Sequence, residues 1–291
     1  MDKLKPEAEY AVPGAPDWIA LGDSVYISNK PKNSIAKLDP KSTKVEEITG
    51  FQKPCSGLAI GFGSLWVPNC GDQTIARVDL KTSQITATLP TGVADSEGGI
   101  AFGLDSVWIL SKPNSTLARI DPGNSKIVAE IELPAGCYTA AFGMGAVWVT
   151  CTEQNEVLRV DPNTNLITNR IKVGPKPRFL TVGEGAVWTL NQGDGKVSRI
   201  DPQSNKVAAT IDVGVPGGGG DISAGEGSVW VTSFGYPLSR IDPDTNKVVQ
   251  QFVGAGGDAV RAGNGFVWLC DLRGGKVWRL DPKLIAATLA E

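Results

Sequence analysis

The sequence predicts an all-β protein made of seven copies of one unit, and two repeating features carry that prediction. An aromatic residue recurs every 38 to 42 residues inside an apolar stretch, and an aspartate follows it by twelve or thirteen positions. The aromatic residues are Tyr26, Trp66, Trp108, Trp148, Trp188, Trp230 and Trp268. The aspartates are Asp39, Asp79, Asp121, Asp161, Asp201, Asp242 and Asp281, and all but Asp79 precede a proline. Short strands and Gly/Pro turns at a period of about 40 residues are typical of a β-propeller.

Each unit divides into four strand-like segments, which the fifth copy shows well. Residues 179–182, 186–190, 197–201 and 206–211 form strand patterns, and Gly, Asn, Asp and Pro separate them. The second segment is apolar throughout, as expected of a strand buried on both faces. We therefore predict a seven-bladed β-propeller with four antiparallel strands per blade, as a single domain over residues 1–291. A β-sandwich fits less well, because a sandwich gives no reason to repeat its sequence seven times.

Either end of the chain could complete the last blade. Residues 7–12 resemble outer-strand segments such as 250–253 and precede the first inner strand. Residues 284–289 compete for the same place, but their connection after Asp281 is shorter than in the other units. We expect the N-terminal segment to close the ring.

Composition excludes several classes of protein. The net charge is −3 with a pI near 5.2, and Lys and Arg form no cluster, so nothing indicates a nucleic-acid partner or an anionic membrane patch. No apolar run approaches the roughly 20 residues that span a bilayer. Residues 1–5 lack the apolar stretch of a signal peptide, so we expect none within this sequence. We expect a monomer.

A basic residue lies two positions before each repeat aspartate, which allows two interpretations. These residues are Lys37, Arg77, Arg119, Arg159, Arg199, Arg240 and Arg279. They could form an anion-binding ring, or each could pair with its own aspartate, since residues two apart share one face of a strand. The sequence favours local ion pairs.

The repeat text also resembles a known family. Tyr26-Ile27-Ser28-Asn29 and Trp230-Val231-Thr232-Ser233, each followed by an Arg-Ile-Asp-Pro-like phrase, resemble the YVTN-repeat propellers. The Gly-x-Gly-x-Val-Trp-Val phrase is most similar to the branch that contains virginiamycin B lyase, or streptogramin lyase. That resemblance implies elimination on a cyclic depsipeptide with Mg²⁺, a catalytic His and nearby Glu. The chain contains no histidine, so none of its residues can take that role.

Candidate binding residues lie in the loops before the first strand of each blade and between its second and third strands. They are Asp17, Trp18, Glu97, Tyr138, Arg178, Phe179, Asp221, Asp258, Tyr236 and Arg273. The glycine run 217–220 would be flexible or would let a ligand approach the backbone. Carboxylate and Asn oxygens could instead hold Mg²⁺ or Ca²⁺. A third interpretation is that these are solvated loop residues.

The cysteines predict two disulfide bonds. Cys55 and Cys137 each lie eleven residues before the Trp of their unit, whereas Cys70 and Cys151 lie three or four residues after it. The paired loops lie on the same face, so Cys55–Cys70 and Cys137–Cys151 are the expected bridges. Zinc is the alternative, but the spacing is not C-x₂-C and no His assists. Disulfides imply an oxidising compartment, periplasmic or extracellular. Cys270 has no partner in its unit.

Three classes of function remain compatible with this sequence. The first is an extracytoplasmic propeller that binds a small molecule, peptide or protein on its loop face without streptogramin lyase activity. The second is a lyase-like or lactonase-like enzyme that uses face carboxylates or a Tyr with a divalent metal. The third is a structural envelope protein. We favour binding, because the scaffold is complete, whereas a Ser-His-Asp triad and a G-x-S-x-G motif are both absent.

Overall fold

The computed structural model describes residues 3–30, 32–55, 57–93, 99–112, 115–283 and 285. These residues form seven separate four-stranded antiparallel sheets, which are the seven blades of a β-propeller. The predicted fold class is therefore confirmed. The described residues form no helix that is long and apolar enough to cross a membrane.

The strands follow the same order in every blade, from the central channel outwards. Blade 1 contains β2 (Ala15–Leu21), β3 (Val25–Lys30), β4 (Ser34–Leu38) and β5 (Val45–Thr49). Blade 2 contains β6 (Ala59–Gly61), β7 (Ser64–Asn69), β8 (Thr74–Asp79) and β9 (Ile85–Pro90). Blade 3 contains β10 (Ile100–Gly103), β11 (Ser106–Ser111), β12 (Thr116–Asp121) and β13 (Lys126–Glu132). Blade 4 contains β14 (Cys137–Gly143), β15 (Ala146–Cys151), β16 (Glu156–Asp161) and β17 (Leu166–Lys172). Blade 5 contains β18 (Pro177–Gly183), β19 (Ala186–Asn191), β20 (Lys196–Asp201) and β21 (Lys206–Asp212). Blade 6 contains β22 (Ile222–Gly225), β23 (Ser228–Ser233), β24 (Tyr236–Asp242) and β25 (Lys247–Phe252). Blade 7 contains β26 (Val260–Gly263), β27 (Phe266–Asp271), β28 (Lys276–Leu280) and β1 (Ala8–Ala11).

The second strand of each blade carries the core. All seven repeat aromatic residues lie in these strands and are almost completely buried. In blades 2 to 6 the Trp indole N–H donates to the carbonyl of a glycine five residues earlier, at 2.9–3.1 Å. The Trp thus buries a large apolar ring while its one polar atom remains hydrogen-bonded.

Two glycines in the turn between the first and second strands have separate structural reasons. In blade 2, a Cβ on Gly61 would overlap the Phe102 ring of blade 3, so only glycine allows the blades to approach this closely. Gly63 instead has φ of 68° and open space around it, so its role is conformational.

The repeat aspartates fix the turn between the third and fourth strands. In all seven blades, an Asp carboxylate oxygen accepts a hydrogen bond from the backbone N–H two residues later, at 2.7–3.0 Å. Backbone N–H groups two residues later (Asp39, Asp161, Asp201) or three residues later (Asp79, Asp242) make the largest contribution that holds the pKa of these five aspartates below its ordinary value. The turn chemistry expected of Asp-Pro is therefore observed.

The repeat basic residues differ from the sequence expectation. Among the ion pairs of the described residues, none joins such a side chain to the aspartate two positions later. In five blades from Arg77 to Arg240 the guanidinium lies 5.0–5.7 Å from the centre of its own blade's Trp ring. Arg77 also donates to the Pro122 carbonyl of the next blade at 2.7 Å, and Arg119, Arg240 and Arg279 make the equivalent contact. These residues therefore connect neighbouring blades. A guanidinium stacked on a Trp ring keeps N–H groups that can donate to a carbonyl of the next blade.

The last blade takes its outer strand from the beginning of the chain. β1 pairs antiparallel with β28, with Tyr10 opposite Val277. Tyr10 is buried, and its ring centre lies 5.6 Å from that of Trp268. Residue 284 and residues 286–289 of the competing C-terminal segment lie outside the described residues.

Candidate functional site

The antiparallel strand order places the connections between strands on two opposite faces of the propeller. We call one the loop face, because it carries the loops before each first strand and between each second and third strand. We call the other the turn face, because it carries the tight turns between strands 1 and 2 and between strands 3 and 4. The candidate binding residues were predicted in these loops, and Asp221, Asp258 and Arg273 do lie outside the strands on this side. The prediction is wrong for six others, which lie within strands β2, β14, β18 and β24: Asp17, Trp18, Tyr138, Arg178, Phe179 and Tyr236.

A pocket of about 410 Å³ opens on the loop face, and blades 1, 5 and 7 supply its predicted residues. Asp17, Trp18, Arg178, Phe179 and Asp258 line it, although they are far apart in the sequence. The remaining lining residues are Gln192, Gly218, Gly219, Gly220, Phe234, Ala259 and Leu272. Three aromatic rings, one guanidinium and two carboxylates therefore border one cavity, which is typical of a site with an apolar wall and a few polar anchors.

Arg178 joins the polar and aromatic parts of this wall. Its guanidinium lies 4.0 Å from the centre of the Tyr138 ring and donates to the Tyr138 hydroxyl at 2.5 Å. The same guanidinium lies 5.6 Å from the centre of the Phe179 ring. Phe179 in turn packs at 6.4 Å edge-on to Tyr138 and at 6.0 Å from Trp18. Tyr138 thus borders the pocket through its contacts with two lining residues.

Asp221, one of the predicted ligand-binding residues, does not line this pocket. Its side chain is buried, and one carboxylate oxygen accepts from the Val260 N–H at 3.2 Å and from the Arg261 guanidinium. The other oxygen accepts from the Ile222 N–H at 2.8 Å. Burial raises the pKa of Asp221, and the charge of Arg261 opposes that rise. The Asp221–Arg261 ion pair joins blades 6 and 7.

Arg261 extends this connection to blade 1. Its guanidinium lies 4.1 Å from the centre of the Trp18 ring, whose indole lines both the pocket and the central channel. Arg261 itself lines the channel. One ion pair and one cation–π contact therefore hold three blades together next to the pocket.

Three residues of the glycine run, Gly217, Gly219 and Gly220, are packed closely against their neighbours, whereas a Cβ on Gly218 would meet open space. Gly219 has φ of 116°, and a Cβ there would lie 2.6 Å from the Phe234 ring. A Cβ on Gly220 would overlap the Thr232 carbonyl. Gly218 donates to the Gln192 carbonyl at 2.8 Å. This packing gives a structural reason for glycine at positions 219 and 220, whereas approach of a ligand to this backbone stays a prediction.

Three further predicted residues have other positions. Arg273 lines an adjoining cavity of about 230 Å³ that shares Phe234 and Leu272 with the pocket, and its guanidinium lies 5.2 Å from the centre of the Phe234 ring. Tyr236 lines neither cavity, because it packs against the hydrophobic core. Glu97 lies outside the described residues.

Sequence reasoning missed two residues that matter here. Gln192 lines the pocket and donates to the Gly220 carbonyl at 3.2 Å. It directly follows the second strand of blade 5, and this position could have identified it. Arg261 carried no such signal, because it lies within a first strand whose other residues are apolar or small.

Both predicted disulfide bonds are present. Cys55–Cys70 has a Cα separation of 5.5 Å, and Cys137 lies directly opposite Cys151 in the β14–β15 pair. Cys137 precedes Tyr138, so this bridge fixes the strand start that presents Tyr138 to Arg178. Cys270 is a buried free thiol whose pKa burial raises well above its usual range. Two disulfides are consistent with an extracytoplasmic protein.

The described residues do not form a ready-made metal centre. No group of three or more Cys, Asp or Glu side chains among them is arranged to hold a metal ion. The pocket offers Asp17 and Asp258 as carboxylates of the kind that Mg²⁺ or Ca²⁺ prefers. A divalent-ion site therefore stays a prediction.

Solved structures with the same fold give one consistent comparison. The chain is similar to a streptogramin B lyase structure, with a TM-score of 0.80 and 22% identity over 94% of this chain and 96% of that one. It is also similar to selenomethionine-substituted virginiamycin B lyase from Staphylococcus aureus, with a TM-score of 0.81 and 21% identity over 94% and 97%. A catalytically inactive histidine-to-alanine variant of that enzyme with quinupristin gives a TM-score of 0.80 and 20% identity over 94% and 97%. At this identity the likeness shows the fold alone. No family model and no curated protein matches the chain.

Proposed function

We propose that this chain is an extracytoplasmic propeller, periplasmic or secreted, that binds a small molecule or a peptide on its loop face. The observation that carries the proposal is the convergence of Trp18, Phe179 and Phe234 with Arg178 and two aspartates on one pocket. Aromatic faces supply apolar contact, while the charged groups orient a ligand that carries complementary polar atoms. A protein partner would bind in the same pocket through a loop side chain that offers apolar surface and complementary polar atoms.

We propose further that the chain is not an active streptogramin lyase. It contains no histidine, and general acid–base help from such a residue is typically worth about 10²–10⁴-fold in rate. One arrangement favours an alternative, a lyase-like or lactonase-like enzyme with a Tyr base and a divalent metal. The Tyr138 hydroxyl lies beside the pocket and within hydrogen-bond distance of the Arg178 guanidinium.

The test measures binding and turnover on the same samples. Isothermal titration would use quinupristin and a panel of aromatic dipeptides and tripeptides. We expect at least one of them to bind, and Phe234→Ala to weaken that binding about 5- to 30-fold through lost ring contact. Phe62→Ala is the matched control, because Phe62 is similarly exposed but lies on the turn face. A panel in which nothing binds, or equal losses in both variants, would contradict the binding proposal.

Turnover distinguishes the two candidate functions. Quinupristin incubated with the protein, with and without Mg²⁺, should remain cyclic by chromatography, whereas a streptogramin lyase linearises it. Rapid linearisation would overturn the non-enzymatic proposal. Loss of that activity in Tyr138→Phe would then assign the base to Tyr138.

A further inference from the structure

The central channel has a polar side and an apolar side at one repeat position. In each blade, one residue of the first strand lies opposite the repeat aromatic residue of the second strand, and all seven of these residues line the channel. In blades 1 to 4 they form what we call the alanine wall, Ala20, Ala59, Ala101 and Ala141. In blades 5 to 7 they form what we call the donor wall, Thr181, Ser223 and Arg261.

The two hydroxyls of the donor wall each have a proton to donate. Thr181 Oγ1 accepts from the Ala224 N–H at 3.1 Å, and Ser223 Oγ accepts from the Ala262 N–H at 3.0 Å. Among the described residues, neither hydroxyl finds an acceptor for its own O–H. Ser223 is only 5% exposed, so its O–H is costly to bury unless a molecule in the channel accepts from it.

Arg261 adds N–H groups to the same wall. Its Nη1 donates to the Asp221 carboxylate and to the Val260 carbonyl. Within the part of the chain that the structure describes, Nε and Nη2 have no acceptor, although the side chain is 22% exposed and lines the channel. A guanidinium carries five N–H groups, so the ion pair with Asp221 leaves several of them for a ligand.

Folding does not require hydrogen-bonding side chains at this repeat position. Blades 1 to 4 pack against their neighbours in the same ring with alanine there. The donors also lie in consecutive blades. The Thr181 hydroxyl contacts the residue that follows Ser223, and the Ser223 hydroxyl contacts the residue that follows Arg261. The three side chains are therefore neighbours that can act on one ligand.

The cavity between the two walls suits a small, uncharged ligand. Its volume is about 360 Å³, near the lower end of the roughly 300–1,000 Å³ typical of ligand sites. The alanine wall, with Phe102 and Phe142 beside it, offers apolar contact, whereas the donor wall offers O–H and N–H groups to an oxygen acceptor. Asp221 already balances the charge of Arg261, so a bound anion would lack a cation of its own.

We propose that the central channel is a second ligand site, which binds an uncharged small molecule that carries an amide or ester carbonyl on an apolar body. The carbonyl oxygen accepts from the donor wall, and the apolar body packs on the alanine wall. This site goes beyond the loop-face pocket. Thr181 and Ser223 line the channel and not the pocket, whereas Phe234 lines the pocket and not the channel. Variants at these positions therefore distinguish failure of one proposal from failure of the other.

The test uses three probes of matched size, N,N-dimethylbutanamide, hexanoate and heptylamine, which offer a neutral acceptor, an anion and a cationic donor. Binding is followed by the amide NMR signals of Ala224 and Ala262, whose N–H groups donate to the two hydroxyls. The whole chain should bind the amide saturably and about tenfold more tightly than the other probes. Thr181→Ala with Ser223→Ala should weaken amide binding about tenfold, because each lost hydrogen bond is worth roughly two- to tenfold in affinity.

Single changes at position 181 provide the matched controls. Thr181→Val removes one hydroxyl at nearly constant shape and should weaken amide binding about threefold. Thr181→Ser keeps the hydroxyl and should bind the amide like wild type. Phe234→Ala changes the loop-face pocket and should leave amide binding in the channel unchanged. The double alanine variant copies the alanine wall, and its melting temperature checks that it folds.

Four results would overturn the proposal. The first is equal amide affinity of wild type, Thr181→Val and the double alanine variant. The second is tighter binding of hexanoate or heptylamine than of the amide. The third is the absence of a saturable shift with any probe, which would show that water alone fills the channel. The fourth is amide binding that Phe234→Ala abolishes and the double alanine variant retains, which would assign the probe to the loop-face pocket.

Discussion

At the scale of single residues, Asp221 and Arg261 show how a buried charge is tolerated next to a binding pocket. The carboxylate is buried but accepts two backbone N–H groups and one guanidinium. Such a pair contributes little net stability when complete, but the loss of one partner leaves an uncompensated charge. The pair holds the Arg261 guanidinium against the Trp18 ring. Its main effect is therefore to position Trp18 and not to add stability.

The first prediction concerns this pair. Arg261→Met should lower the free energy of unfolding at pH 7 by about 3–5 kcal/mol, because Asp221 would remain buried without its cation. In this variant the folded-state pKa of Asp221 rises further above its unfolded value. A carboxyl with a raised folded-state pKa contributes its stability below the unfolded pKa of about 3.9 and loses it as pH rises. The deficit should therefore shrink towards pH 4, as urea unfolding at several pH values can measure.

A second substitution separates charge from packing. Adding Asp221→Asn to Arg261→Met removes the unpaired carboxylate, so stability at pH 7 should partly recover and the added pH dependence should disappear. If the single variant were equally destabilised at pH 4 and pH 7, the loss would come from packing on Trp18, and the electrostatic argument would be wrong.

At the scale of strands and loops, the repeat made some features predictable and left others open. The positions of the seven aromatic residues follow from the period, because burial on both faces of a second strand demands an apolar stretch. Asp221 and Asp258 lie at comparable positions before a first strand, yet Asp221 is buried under Arg261 while Asp258 lines the pocket. Phe234 and Tyr236 lie two residues apart, but only Phe234 lines the pocket. These differences depend on loop conformations around glycines with positive φ, which no periodic pattern encodes.

The disulfides belong to this scale, and the second prediction concerns them. The Cys137–Cys151 bridge links residues 14 apart. A bridge that closes a loop of this size raises the free energy of unfolding by about 3 kcal/mol if it acts by restricting the unfolded chain. Cys137→Ala with Cys151→Ala should therefore lower the urea midpoint under oxidising conditions, with Cys270→Ala as the control that breaks no bridge.

Alkylation of the unfolded, unreduced protein should modify one thiol, Cys270. Five alkylated cysteines in protein recovered from an oxidising compartment would contradict both the bridges and the extracytoplasmic proposal.

At the scale of the whole molecule, ring closure determines whether seven blades behave as one unit. Neighbouring blades are joined all round by packing and by donors such as Arg77 and Arg119. Between blade 7 and blade 1, the Arg279 guanidinium donates to the Pro40 carbonyl, so the same contact continues across the seam. Within blade 7, however, the outer strand comes from the opposite end of the chain. Stability of the ring should therefore depend on a short N-terminal strand.

The last prediction tests that dependence. β1 contributes the buried Tyr10, and the Glu9 carboxylate accepts from the Trp278 indole at 3.0 Å and from Lys276 at 2.6 Å. Removing residues 1–12 should lower the free energy of unfolding by at least the roughly 3–5 kcal/mol that loss of one large buried aromatic side chain costs.

The truncation would also expose the edge of β28, with which a free strand can pair again. A synthetic peptide of residues 4–13 should raise the melting temperature of the truncated protein with increasing concentration, as expected of a ligand that binds only the folded state. A peptide with the same residues in scrambled order should have no effect. An unchanged melting temperature after truncation would show that blade 7 holds the ring with three strands alone.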